Sequence, residues 1–139
     1  MRTVGLDLGS RRIGVAVSDS EGTVATPHTV LERSGDVGAD HAEVAAIVRE
    51  VGAGRVVVGV PRSLDGTTGP AAQAVLDEVA QLAAAVGVPV ATHDERLTTV
   101  TAERALRAGN VRRRRRRQVV DQVAATVILQ AWLDAQSRS

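Results

Sequence analysis

The sequence predicts a single α/β domain, residues 1–139, in which a mixed five-stranded sheet carries helices on both faces. Three observations lead there. Segments of period two and period 3.6 follow one another in the order βββαβαβαα. One five-residue stretch, Val56–Val60, is apolar on both sides, as a strand buried between two layers must be. The length of 139 residues suffices for one core without disulfides or a structural metal.

The first strand alternates Val4, Leu6 and Leu8 with Thr3, Gly5, Asp7 and Gly9. Ile13, Val15 and Val17 continue the alternation after a turn at Ser10–Arg12. Thr23 to Leu31 reads as a third strand after the Asp19-Ser20-Glu21-Gly22 turn, so the chain opens as an antiparallel meander. Val44, Ile47, Val48 and Val51 recur at helical spacing before Gly52 and Gly54. The buried strand Val56–Val60 ends at Pro61 and leads into a Gly- and Thr-rich loop, Arg62 to Gly69. Pro70 suits the first turn of a helix whose stripe is Val75, Leu76, Val79, Leu82 and Val86. A strand over Val88–Thr92 delivers His93-Asp94-Glu95-Arg96. A short helix is expected over Thr99–Ala108, stopped by Gly109-Asn110. The last helix is expected after the arginine run, marked by Val120, Val123, Ala124, Val127, Ile128 and Ala131 and fading near Ser137.

Composition narrows the function. No uncharged apolar run approaches the roughly 18 residues of a membrane span, and the N-terminal segment has no signal core, so a cytoplasmic protein is expected. With no cysteine, any metal must be held by oxygen or imidazole. The net charge of +1 hides a strong polarisation, because Arg112 to Arg117 are consecutive; without them the chain is acidic. Such a segment attracts phosphate locally, unless it is merely a solvated loop. Trp132 is the only aromatic residue, which excludes the base-stacking platforms of common single-strand binders and places Trp132 in the core. His28, His41 and His93 are too scattered for a zinc set; His28 and His41 read as surface residues.

Cleavage of a phosphodiester by divalent cations needs carboxylates that converge from distant points of the chain, because hard cations take oxygen ligands and must bridge the phosphate. Asp7 lies in a strand between two glycines, where a ligand can approach the backbone closely. Asp94 and Glu95 follow the last strand; neighbours on a strand point to opposite faces, so only one of the two shares a side with Asp7. Asp121 stands at the start of the expected last helix, where an acid is also favoured by the helix dipole alone. Ala124 and Ala125, one turn on, permit close packing against the sheet. The loop Arg62–Gly69, with Ser63 and Thr67, precedes a helix and offers backbone N–H groups and hydroxyls to a phosphate; a plain turn explains it equally well.

Five segments together resemble one family. Gly5-Leu6-Asp7-Leu8-Gly9, Arg12 to Asp19, Val58-Gly59-Val60-Pro61, Asp94-Glu95-Arg96-Leu97-Thr98-Thr99, and Val120-Asp121 with Ala124-Ala125 and Ile128-Leu129-Gln130 are similar to the YqgF (RuvX) family of pre-16S rRNA nucleases and Holliday-junction-resolvase-like proteins. The resemblance spans almost the whole chain. It implies an RNase H-like three-layer fold and a nuclease that matures the 5′ end of 16S rRNA during ribosome assembly. It also implies catalytic and metal-holding acids at Asp7, Glu95 and Asp121, with Mg²⁺ or Mn²⁺ as cofactor. RNA (pre-16S rRNA) or branched nucleic acid is the implied partner, with a pre-ribosomal particle around it, in a monomer or homodimer away from membranes. Arg11, Arg12, Ser63, Thr67, Arg96, Arg112, Arg113, Arg114, Arg115, Arg116 and Arg117 are the expected nucleic-acid contacts. Where junction resolvases carry a Glu on the buried strand, this chain has Gly59-Val60-Pro61, and the second acid is expected at Glu95 instead. Two other readings compete: an assembly factor that grips RNA without cutting it, or a DNA-junction resolvase. Asp7-Leu8-Gly9-Ser10 also resembles the first phosphate motif of sugar kinases and Hsp70-like ATPases, but those proteins clasp ATP between two lobes and this chain has length for one.

Overall fold

A computed structural model describes residues 1–62, 65, 67–95 and 113–137, with the backbone course alone for 113–122. Its strands are β1 (Arg2–Leu8), β2 (Arg12–Ser18), β3 (Ala25–Glu32), β4 (Ala53–Val60) and β5 (Val90–Asp94), and its helices are α1 (Val37–Val51), α2 (Pro70–Val86) and α3 (Arg113–Ser137). The strands form one sheet in the order β3-β2-β1-β4-β5. β1, β2 and β3 pair antiparallel as the expected meander, whereas β1, β4 and β5 run parallel, each crossover carried by a helix.

Two cores hold the layers together. Val4, Leu6 and Leu8 of β1 and Val56 and Val58 of β4 pack under Val44, Ala45 and Val48 of α1 and Leu82 and Val86 of α2. On the opposite side Ala16, Val57 and Ala25 meet Ala125, Ile128, Leu129, Trp132 and Leu133 of α3. Small residues on that face let α3 sit close to the sheet. A β-carbon on Gly5 would stand 2.6 Å from the Leu129 Cβ and 3.2 Å from the Ala125 carbonyl oxygen. Trp132 is buried, as expected, and its ring lies 4.8 Å from the Arg55 guanidinium, a cation–π contact.

Three expectations need correction. The last helix begins at Arg113, so Arg113 to Arg117 form its first turns rather than a loop before it; arginine is a good helix former, and nothing in the run breaks the pattern. Asp121 is accordingly interior to α3. β5 spans Val90–Asp94, two residues later than Val88–Thr92, because Pro89 offers no N–H to a ladder. His41 is 3% exposed rather than at the surface. The helix expected over Thr99–Ala108 lies outside the described residues. No helix among the described residues is long and apolar enough to cross a membrane.

Candidate active site

Alternation along β1 turns Gly5 and Asp7 toward the face that α3 covers. Gly5 lies beneath Leu129; Asp7, two residues on, is half-buried near the strand's carboxyl end. β2 sets Gly14 opposite Asp7. On the other side Leu6 pairs with Val58 of β4, and continuing that register by one residue brings Asp7 level with Gly59. Gly59 in turn pairs with His93 of β5.

Glu95 follows directly on β5, and its side chain reaches back over β4. Its Cγ and Cδ lie 2.9 and 3.0 Å from the point where a β-carbon on Gly59 would stand, with the Ile128 Cδ1 2.5 Å from the same point. The missing side chain of Gly59 therefore makes the room that Glu95 occupies. Burial raises the pKa of Glu95, and the carboxylates of Asp7 and Asp94 push it further, to about 7. Asp7 and Glu95, far apart in sequence, thus face each other across Gly59 as mutually repelling acids. His93 is half-buried beside them; burial lowers its pKa against the pull of Asp94, and its Nε2 has no hydrogen-bond partner among the described residues.

Of the three expected acids, the structure brings Asp7 and Glu95 together. Asp121 belongs to α3, one turn before Ala125, and its side chain lies outside the described residues. Among the described residues no three His, Asp or Glu side chains converge closely enough to hold a metal ion. The donor chemistry nevertheless suits a hard cation. Carboxylate oxygens whose charges oppose one another at a partly dry site are relieved by Mg²⁺ or Mn²⁺.

The expected nucleic-acid contacts divide. Arg11 is exposed on the β1–β2 turn, and Arg12 opens β2 with its Nη1 3.8 Å from a Glu32 oxygen. Thr67 is exposed, but its N–H and hydroxyl both donate to Asp65 Oδ1, at 3.0 and 2.7 Å, while Arg62 donates to the Thr68 hydroxyl. The loop is thus tied internally by its own side chains. Arg113, Arg114, Arg115, Arg116 and Arg117 are placed by backbone alone; Ser63, Arg96 and Arg112 lie outside the described residues.

Sequence reasoning missed a charged network beside the β1–β2 turn. Arg33 donates to both oxygens of Glu78 at 2.9 Å, and His41 Nε2 lies 2.8 Å from Glu78 Oε2. A signal was present: His41 shares the buried stripe of Val44, Ala45 and Val48, and Glu78 lies between Val75 and Leu82. A polar group on an apolar stripe must find a polar partner.

A family model described as "RuvX: Holliday junction resolvase" matches residues 1–135. Two curated proteins named "Putative pre-16S rRNA nuclease" are similar over nearly their whole length. The one from Moorella thermoacetica is 50% identical, covering 96% of this chain and 95% of its own. The one from Myxococcus xanthus is 49% identical, covering 97% and 89%. In fold the chain is similar to RuvC of Thermus thermophilus, at a TM-score of 0.61 and 19% identity over 99% of this chain and 97% of that one. A second RuvC structure, solved in complex with a Holliday junction substrate, matches at a TM-score of 0.61 and 20% identity over 100% and 97%.

Proposed function

The chain belongs to the RuvX family, and from that premise we propose that it is a divalent-metal-dependent nuclease of structured RNA, processing the 5′ end of pre-16S rRNA in the cytoplasm. The observation that carries this reading is the placement of Glu95 over Gly59, against Asp7. Asp7 and Glu95, with Asp121, would hold Mg²⁺ or Mn²⁺. When bound, such a cation polarises a phosphoryl oxygen and neutralises charge that develops during cleavage. The rest falls to the chain. Asp7, on β1, and Glu95, directly after β5, orient the reacting centre from a rigid sheet, and Gly59 leaves the room that lets Glu95 face Asp7. Arg11, exposed on the turn after Asp7, and the arginines opening α3 supply positive charge for the flanking phosphates.

A DNA junction is the second reading, favoured by the description of the matching family model and by the RuvC-like fold. Purified wild type and Asp7→Asn, each with Mg²⁺ and then Mn²⁺, should be given a 5′-extended 16S RNA and a four-way DNA junction. The proposal expects metal-dependent RNA cleavage by wild type alone. Cleavage confined to the junction would move the assignment to a resolvase, and tight RNA binding without cleavage to an assembly factor.

A further inference from the structure

We infer that His41, Glu78 and Arg33 form a positioning relay that fixes the turn between β1 and β2, and through it Asp7, in the geometry that binds cation and substrate. The relay's role in activity rests on the nuclease reading above; its geometry does not.

Arg33 grips this turn twice. Its Nε donates to the Gly9 carbonyl oxygen at 2.7 Å, and its backbone N–H donates to the Arg11 carbonyl oxygen at 2.9 Å. Gly9 in turn donates its N–H to the Asp7 carbonyl oxygen at 3.1 Å. One residue, Gly9, therefore joins Arg33 to the backbone of the candidate catalytic acid through its carbonyl oxygen on one side and its N–H on the other. Glu78 of α2 accepts both Nη groups of Arg33, which fixes the plane of the guanidinium, and His41 of α1 meets the Oε2 of Glu78. The site thus takes its support from both helices on the far face of the sheet.

Packing alone does not hold the turn. A groove of about 380 Å³ is lined by Ser10, Arg11, Arg33 and Asp40, and another of about 470 Å³ by Leu8, Gly9, Arg33, Pro61 and Glu78. The turn has space beside it, and Arg33, common to both grooves, bridges it. Stability does not explain the arrangement either. A largely buried ion pair seldom stabilises a fold more than well-packed apolar residues of the same size would. What three polar groups bonded to one another do provide is one fixed geometry. Groups that orient the ligands of a metal are commonly worth tenfold or more in affinity or activity.

The test compares Arg33→Lys, Glu78→Gln, His41→Ala and His41→Gln with wild type. A lysine cannot serve Gly9 and both oxygens of Glu78 at once, whereas glutamine at position 41 keeps a donor near Nε2. The measurements are amide shifts and exchange at Gly9–Arg12 by NMR, Mn²⁺ affinity by calorimetry, and kcat and KM on RNA. In Arg33→Lys, Glu78→Gln and His41→Ala, the turn amides should shift and exchange faster. Their Mn²⁺ affinity should fall roughly tenfold, and kcat should fall with KM little changed. His41→Gln should stay near wild type. Variants that melt earlier but keep wild-type turn amides and Mn²⁺ affinity would overturn the relay and leave a structural brace. Should wild type itself neither bind Mn²⁺ nor cut RNA, the nuclease reading fails, and the amides of the turn still decide the relay.

Discussion

Glu95 occupies the volume that a side chain on Gly59 would need. Restoring a methyl group there should displace Glu95. In Gly59→Ala the new carbon meets the ends of two side chains, Ile128 and Glu95, which can move aside, so the expected loss of stability is about 1 kcal/mol. Gly5→Ala instead meets the Leu129 Cβ and the Ala125 backbone oxygen, atoms that move only with α3, and should cost about 3 kcal/mol. Urea unfolding with and without Mn²⁺ checks both. Stabilisation by Mn²⁺ should vanish in Gly59→Ala and persist in Gly5→Ala, and equal stabilisation of both would separate Glu95 from the cation.

The raised pKa of Glu95 predicts how stability depends on pH without metal. The folded state holds a proton up to about 7, whereas the unfolded chain releases it near 4.5. Between those values the native state binds more protons, so stability should fall as pH rises from 4.5 through 7 and then level off. Discounted for the site's partial exposure, the change is on the order of 1 kcal/mol. Asp7→Asn removes one repelling charge and should flatten the slope. Urea midpoints from pH 4.5 to 8.5 in chelator measure it in both proteins, so that the opposite contribution of His93, whose pKa burial lowers, cancels in the difference; equal slopes in wild type and Asp7→Asn would contradict the assigned repulsion.

Cation binding should show the complementary pattern. Mg²⁺ at ten times its dissociation constant should stabilise wild type by about 1.4 kcal/mol through linkage. Asp7→Asn and Glu95→Gln should gain much less, while Asp19→Asn should gain as much as wild type. Asp19 lies apart, committed to Thr23 and Val24, and those bonds hold its pKa down to about 2. Thermal melts with and without Mg²⁺ decide, and equal shifts in wild type and Asp7→Asn would remove Asp7 from the ligand set.

The arginine run makes a prediction about salt. Removing one arginine that pairs with a phosphate should flatten the slope of log affinity against log salt by about 0.7 for single-stranded RNA. Because Arg113 to Arg117 lie on a helix, where successive residues turn by about 100°, they cannot all face one surface. Replacing them with Gln one at a time should therefore give unequal slopes, measured by fluorescence anisotropy on labelled RNA. Slopes unchanged throughout would reduce the run to solvated charge.

Much of this architecture is written in local pattern. Alternation along Val4–Leu8 and Ile13–Val17 and the apolar run Val56–Val60 identify the inner strands, since each depends only on which side chains are buried. The start of α3 was less legible, because a run of like charges reads as solvent-exposed whether or not its backbone is helical. The choice between Asp94 and Glu95 illustrates the same limit. Sequence shows that only one shares a face with Asp7, but the space over Gly59 exists only through the parallel register of β4 with β5, which no local pattern encodes. The relay of Arg33, Glu78 and His41 spans three elements and was legible only as two polar residues on apolar stripes.

The seat of Leu129 on bare Gly5 has a consequence for how the molecule is made. Everything in the first core is synthesised by Val90, so α1, α2 and the sheet can collapse while the chain is still emerging from the ribosome. The second core waits for a helix that ends at Ser137. Until then one side of β1, with Asp7 on it, has no cover, and the contact that closes it spans more than a hundred residues, the kind of long-range closure that slows folding. The cover over Asp7 is thus completed only after α3 has been made. A chain interrupted before α3 would keep half a core and leave Asp7 uncovered, so on the nuclease reading proposed above an unfinished copy would be inactive.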